Sequence, residues 1–215
     1  MNFVLFLLFG AGVFSLSLFG HKKYHNTTLY ALAIGGVVNA NYFHAGNYPI
    51  ECFGLPFGID SVIYTLFAFC VMVMLLRQDK KSAYLLAVSS IIAILFSALM
   101  ELAAKALAGG DIVEAGTVFE LFLISAVASV IAVIAAVETV HRLREKCNPY
   151  VCMAVGIGLI TVINSTIYYT ATAFLRGAGE NIWMYIGTSF AGKAVALVYS
   201  LIALKILNLL QKKNA

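Results

Sequence analysis

The sequence predicts an all-α polytopic membrane protein, a compact bundle of six to seven transmembrane helices forming a single transmembrane domain over residues 1–215. Three observations predict it. The chain is 62% hydrophobic and only 11% charged, with a mean hydropathy of +0.94, whereas a soluble domain carries about 25% charged residues. Apolar runs repeatedly reach the ~18 residues that a membrane span needs. Basic residues gather at alternate links between those runs. A β-barrel would instead read as alternating segments of about ten residues, and no such pattern is present.

The elements follow in order. Span 1 covers Asn2–Gly20, rich in Phe, Leu and Gly, and His21, Lys22 and Lys23 follow it. Span 2 covers Thr27–Ala45 and carries Asn39 and Asn41 near its end. The link HAGNYPIECFGLP holds Pro49, Pro56, Gly46 and Gly54. It cannot continue a helix smoothly and reads as a re-entrant or interfacial segment or a simple outer loop. Span 3 covers Phe57–Leu76, and span 4 covers Ser82–Leu107 with Glu101 and Lys105 inside it. Span 5 covers Thr117–Val140 and closes on His141, Arg142, Arg144 and Lys146. Span 6 opens at Pro149, which suits a first helical turn, and runs to Phe174; span 7 covers Asn181–Leu210.

With seven spans, Lys22 and Lys23, then Arg77, Lys80 and Lys81, then Arg142, Arg144 and Lys146, then Lys212 and Lys213 share one side. The opposite links hold Glu51, Asp111, Glu114 and Glu180, with Arg176 as their one base. The positive-inside rule then puts the N-terminus outside and the C-terminus in the cytoplasm. The formal charge of +4 lies in these short links, so nucleic acid is not an expected partner; the lipid bilayer is. Cys52, Cys70, Cys147 and Cys152 lack metal-site spacing, and no metal or cofactor is expected. The first residues lack the basic region and small-residue cleavage site of a signal peptide.

The polar residues inside these apolar spans are the candidate site, because burying them in lipid is costly. Asn164 and Tyr168 lie four apart on one helix face, flanked by Ser165 and Tyr169. An amide, phenols and a hydroxyl can hydrogen-bond a planar ligand while the rings pack on it; the same groups also serve as glue between helices. Tyr185, Ser189 and Lys193 repeat at the same spacing on span 7. Lys193 lies near mid-span, too deep to snorkel, and requires a carboxylate, a carbonyl cage or a wet cavity. Asp60 opens span 3, where the helix dipole also suits a carboxylate. Asn41, with His44, is placed to line an outer vestibule. Glu101, Glu138 and His141 are candidates for ion or proton coupling. Glu101 with Lys105 also reads as a same-helix pair, and Glu138 with His141 as a boundary ion pair. A short internal likeness sets IDSVIY at Ile59–Tyr64 against INSTIY at Ile163–Tyr168, pairing Asp60 with Asn164 and Tyr64 with Tyr168 in spans of opposite direction. Nothing matches a phosphate loop, an HExxH helix or a nucleophile elbow, so an enzyme is not expected.

Several motifs resemble the vitamin-uptake transporter family that includes the queuosine-precursor transporters. NANYFHAGNYPIECFGLPFG from Asn39 resembles that family's asparagine, apolar link and FG segment. RQDKKSAY at Arg77–Tyr84 resembles its GKKxAR span end, with Asp79 where Gly is usual. INSTIYYTATAF resembles its DxxIFxxxAF pattern, with Asn164 at the acidic position, and SFAGKAVALVY resembles the small-rich helix that carries its lysine, here Lys193. Val71, Met72 and Leu76 stand where the family places polar and acidic residues. The resemblance implies a six-span stand-alone carrier in a cytoplasmic (inner) membrane for a queuosine precursor, a 7-deazapurine, or a related nucleobase or vitamin. The cavity would be lined by spans 3, 6 and 7, with Asn164, Tyr168, Ser189 and Lys193 contacting a small-molecule substrate. A homo-oligomer and a separate ATPase module are compatible with the sequence as further partners. Two other readings fit the span pattern: a structural or regulatory membrane subunit, and a seven-helix photoreceptor with retinal on Lys193.

Overall fold

A computed structural model describes residues 2–24, 26–45, 49–52, 55–109, 112–176 and 182–214. Among them the chain forms seven helices: α1 (Asn2–Tyr24), α2 (Asn26–Ala45), α3 (Ile59–Arg77), α4 (Lys80–Leu107), α5 (Ile112–Leu143), α6 (Pro149–Arg176) and α7 (Ile182–Asn214). The segments Asp60–Arg77, Lys80–Leu107, Gly116–Leu143, Pro149–Leu175 and Ile182–Leu210 are long and apolar enough to cross a membrane. α1 contributes the shorter apolar stretch Val4–Gly20. The protein is a polytopic all-α membrane protein.

The link after α2 departs from the expected loop or re-entrant segment. Two short strands, β1 (Pro49–Cys52) and β2 (Leu55–Gly58), pair antiparallel, with Pro49 opposite Gly58 and Cys52 opposite Leu55. Phe57, expected to open span 3, belongs to β2, and the helix starts at Ile59. The two prolines fit a two-stranded ribbon because each strand has a free edge where no N–H is needed. Helices α5 and α7 also run past the ends expected at Val140 and Leu210, reaching Leu143 and Asn214.

α3 is the central helix. It packs against all six other helices, and every residue from Ser61 to Leu75 is buried. A helix that is apolar all round needs such a position or a lipid coat. α4 shows the other solution. Ala83, Leu86, Ala87, Ser90, Ile94 and Ala98 face the bundle, while Leu85, Val88, Ile92, Phe96 and Leu99 are exposed where lipid would lie. Close approach of α6 to α3 occurs at Gly156. A Cβ there would run into the side chain of Met72 and stand 3.1 Å from Cγ2 of Val140.

The helix ends carry their own chemistry. Asp79 caps α4: its Oδ1 accepts from the backbone N–H of Ser82 at 2.6 Å. That hydrogen bond holds the Asp79 carboxyl below its usual range. α4 ends on Gly109, whose φ of +69° is a left-handed conformation that suits glycine. Asn148 caps α6 by accepting from the N–H of Tyr150 at 2.9 Å, with Pro149 at the first helical position. At the same end of the bundle, Arg77 donates to Oδ1 of Asn208 at 2.9 Å and ties α3 to α7.

Candidate functional site

Two serines on α5 organise one side of the site. In a helix with no water around it, a serine hydroxyl commonly satisfies itself on the carbonyl one turn back. Ser129 does this, donating to the carbonyl of Ser125 at 2.7 Å. Its oxygen also shares a 2.6 Å hydrogen bond with the hydroxyl of Tyr64 on α3. It accepts from Nδ2 of Asn164 on α6 at 3.3 Å. One hydroxyl thus joins three helices in the buried interior.

A second network lies beside the first. Lys193 on α7 is 6% exposed, and its Nζ donates to Oγ of Ser165 on α6 at 2.6 Å. The ammonium also stands 5.0 Å from the centroid of the Tyr64 ring, within reach of a cation–π interaction. Ser165 shares a 3.1 Å hydrogen bond with Ser189, and Ser189 in turn hydrogen-bonds the Tyr169 hydroxyl. The Tyr169 ring stacks on Tyr185 at 6.3 Å and meets Tyr168 edge-on at 5.4 Å.

These networks wall a cleft of ≈ 380 Å³, including its open mouth. α3 contributes Asp60 and Tyr64, α6 contributes Asn164, Ser165, Tyr168 and Tyr169, and α7 contributes Lys193. α2 and α5 also take part, through Ala40, Asn41 and Ser125, so the lining extends beyond the expected spans 3, 6 and 7. Asp60 lies in the first turn of α3 and acts electrostatically on both Lys193 and Tyr169. Among the described residues, the cleft lining therefore holds one carboxyl and one amine. Lys193 lies eleven residues into α7, about 16 Å along its axis, near the middle of a hydrocarbon layer about 30 Å thick.

Asn164, Tyr168, Lys193, Asp60 and Asn41 all line this one cleft. Ser189 stands behind it, bonded to Ser165. Asn41 uses one amide N–H on the carbonyl of Val37 at 2.8 Å. The paired hexapeptides meet here, since Asp60, Tyr64, Asn164 and Tyr168 all line the cleft. The side chain of His44 and the link at 177–181 lie outside the described residues.

The three residues expected to couple an ion do not line the cleft. Oε1 of Glu138 pairs with Lys80 at 2.6 Å, not with His141, and also accepts from the Tyr84 hydroxyl at 2.7 Å. Lys80 opens α4, so this cluster marks the end of the bundle that carries the basic links. His141 lies three residues on from Glu138, with its Nδ1 buried and lacking a hydrogen-bond partner among the described residues. Glu101 sits in the far half of α4, outside the cleft lining, and its Oε2 likewise has no hydrogen-bond partner among them. Ser125 and Ser129 were not among the expected site residues; their signal is a pair of hydroxyls one turn apart in the otherwise apolar stretch Leu121–Val137 of α5. Val71 and Met72, where the family resemblance would place polar and acidic groups, are fully buried in the apolar core away from the cleft. Comparison with protein-family models, curated proteins and solved structures gives no match.

Proposed function

We propose that the protein is a carrier that takes up a small, planar, uncharged solute across a cytoplasmic (inner) membrane. The observation that carries this reading is the cleft itself: a polar pocket opening into a membrane-spanning bundle, with Lys193 buried at mid-depth and Asn164 beside it. Intramembrane ionisable groups such as Lys193 are costly, and they mark substrate and ion pathways. One amine opposite one carboxyl favours a ligand without net charge. The rings of Tyr64, Tyr168 and Tyr169 suit a flat heterocycle, which they can pack against while amide and hydroxyl groups read its edge.

The motif resemblance makes a queuosine precursor of the 7-deazapurine type the first solute to try. Access to the cleft alternates by rocking of the outer helices against α3. The test is the thermal stability of detergent-purified protein against queuosine precursors, other nucleobases and unrelated vitamins. A ligand that binds only the folded state raises its stability. A selective, saturable rise for one compound that is lost in Asn164→Ala and Lys193→Ala supports the reading. A folded protein that responds to no deazapurine removes that substrate class. If all compounds fail and both variants match wild type in stability, a structural subunit becomes the better reading.

A further inference from the structure

We infer that Ser129 is the specificity-setting residue of the cleft, because it fixes which atom of Asn164 is left for the ligand. The inference rests on the carrier reading above, and it follows from counting protons. A serine hydroxyl has one proton and two acceptor lone pairs. Ser129 has three partners: the carbonyl of Ser125 at 2.7 Å, the Tyr64 hydroxyl at 2.6 Å and the Asn164 amide at 3.3 Å. The carbonyl can only accept, so it takes the Ser129 proton. Both remaining partners must then be donors. Tyr64 donates its hydroxyl proton, and Asn164 presents its NH2 group.

This settles the orientation of the Asn164 side chain, which the shape of an amide alone would leave open. The NH2 group is turned to α5. The amide oxygen has no protein hydrogen-bond partner among the described residues, and Asn164 lines the cleft. Tyr64, having given its proton away, keeps only acceptor capacity. Beside the Ser165, Tyr168 and Tyr169 hydroxyls, Asn164 and Tyr64 therefore offer acceptors, Oδ1 and the phenol oxygen, while Lys193 on α7 supplies N–H donors. The ligand that fits presents an N–H to α6 and an acceptor to α7. A lactam or amidine edge on a flat ring has that order, and an N-alkylated edge does not. Ser129 itself is completely buried and lines no part of the cleft, so it acts as a positioning residue, through Asn164.

The test uses the full-length protein in detergent and two probes, 7-deazaguanine and 1-methyl-7-deazaguanine, which differ at the lactam N–H. Wild type is expected to prefer the N–H compound by about tenfold or more, the effect of leaving a buried acceptor unpaired. Ser129→Ala frees the amide to turn over, and the preference is expected to fall to about threefold or less. Ser129→Thr keeps the hydroxyl and is expected to restore it. Undiminished preference in a folded Ser129→Ala protein overturns the inference. A ligand-free readout separates this from failure of the carrier reading: the side-chain 15N resonance of Asn164, assigned by its loss in Asn164→Asp. The NH2 proton held by Ser129 is shifted downfield and protected from exchange with water. Loss of that shift and protection in Ser129→Ala supports the assignment even if wild type binds neither probe, an outcome that counts against the deazapurine reading alone. An unchanged resonance overturns the assignment whether or not a probe binds.

Discussion

Lys193 donates its buried ammonium proton to the Ser165 hydroxyl at 2.6 Å, across the contact between α7 and α6. The nearest anchor of the amine is therefore a neutral oxygen, with the Asp60 carboxyl acting on it electrostatically. A hydrogen bond to a charged group is worth more than a neutral one, and losing its acceptor leaves the charge undersolvated. Ser165→Ala is expected to lower unfolding stability by about 1–3 kcal/mol. In a Lys193→Met background the same change should cost much less, giving a coupling of about 0.5–3 kcal/mol. Chemical denaturation of the four proteins in one detergent measures this. Simple additivity would show that the contact carries no energy.

Asp60 and Lys193 should be coupled in the same way, through charge. Lys193→Met removes the amine and leaves Asp60 as the sole ionisable carboxyl or amine in the cleft lining among the described residues. Asp60→Asn is therefore expected to be destabilising in wild type and neutral or stabilising in Lys193→Met. Thermal midpoints of the single and double variants decide it. An equal effect of Asp60→Asn in both backgrounds would separate the two residues.

Gly156 tests the packing of α6 on the central helix. Adding a methyl group forces Met72, itself fully buried, to move. Gly156→Ala is expected to cost about 1–3 kcal/mol. Met72→Ala opens a cavity and is costly alone. The double variant should be more stable than the sum of the two losses, because the new methyl then has room. Denaturation midpoints report the difference, and strict additivity would argue against contact at this point.

Asp79 gives a pH dependence of known sign. Its carboxyl is held below the usual range by the Ser82 N–H. A depressed folded value means that the cap stabilises fully above the unfolded value, about 4. That contribution disappears as pH falls through the lower folded value. Asp79→Asn keeps an N-cap side chain but cannot titrate. Wild type should lose more stability than Asp79→Asn between pH 6 and pH 3. Parallel curves would mean that the cap is not titrating.

The parts of the site that could be read from sequence are those whose chemistry is out of place. Asn164 and Lys193 stand out because an amide and an amine are rare inside apolar helices, and helical spacing puts Tyr168 with the first. Ser129 carries no such mark. Serines bonded to their own helix are common in membranes, and its value depends on Tyr64, which is distant in sequence and close only after packing. Glu138 read as a proton-coupling candidate or a boundary ion pair with His141; the ion pair it makes is with Lys80 at the start of α4, a partner far from it in sequence. The central place of α3 was equally hidden, since lipid and protein select the same apolar residues and several helices are as apolar as α3. The hairpin was missed because two prolines in ten residues read as a loop, and nothing local reveals that one strand has the other to pair with.

The burial of α3 has a bearing on how the chain is made. During synthesis α3 emerges before α4, α5, α6 and α7, the helices that later cover much of it. In that interval its sides have only acyl chains, α1 and α2 to lie against. The unbroken apolar run from Leu66 to Leu75 thus serves in two settings. It is first a surface for the nascent chain to rest in the bilayer, and afterwards the core around which the finished protein closes. A polar residue placed there would hinder insertion before it ever disturbed packing.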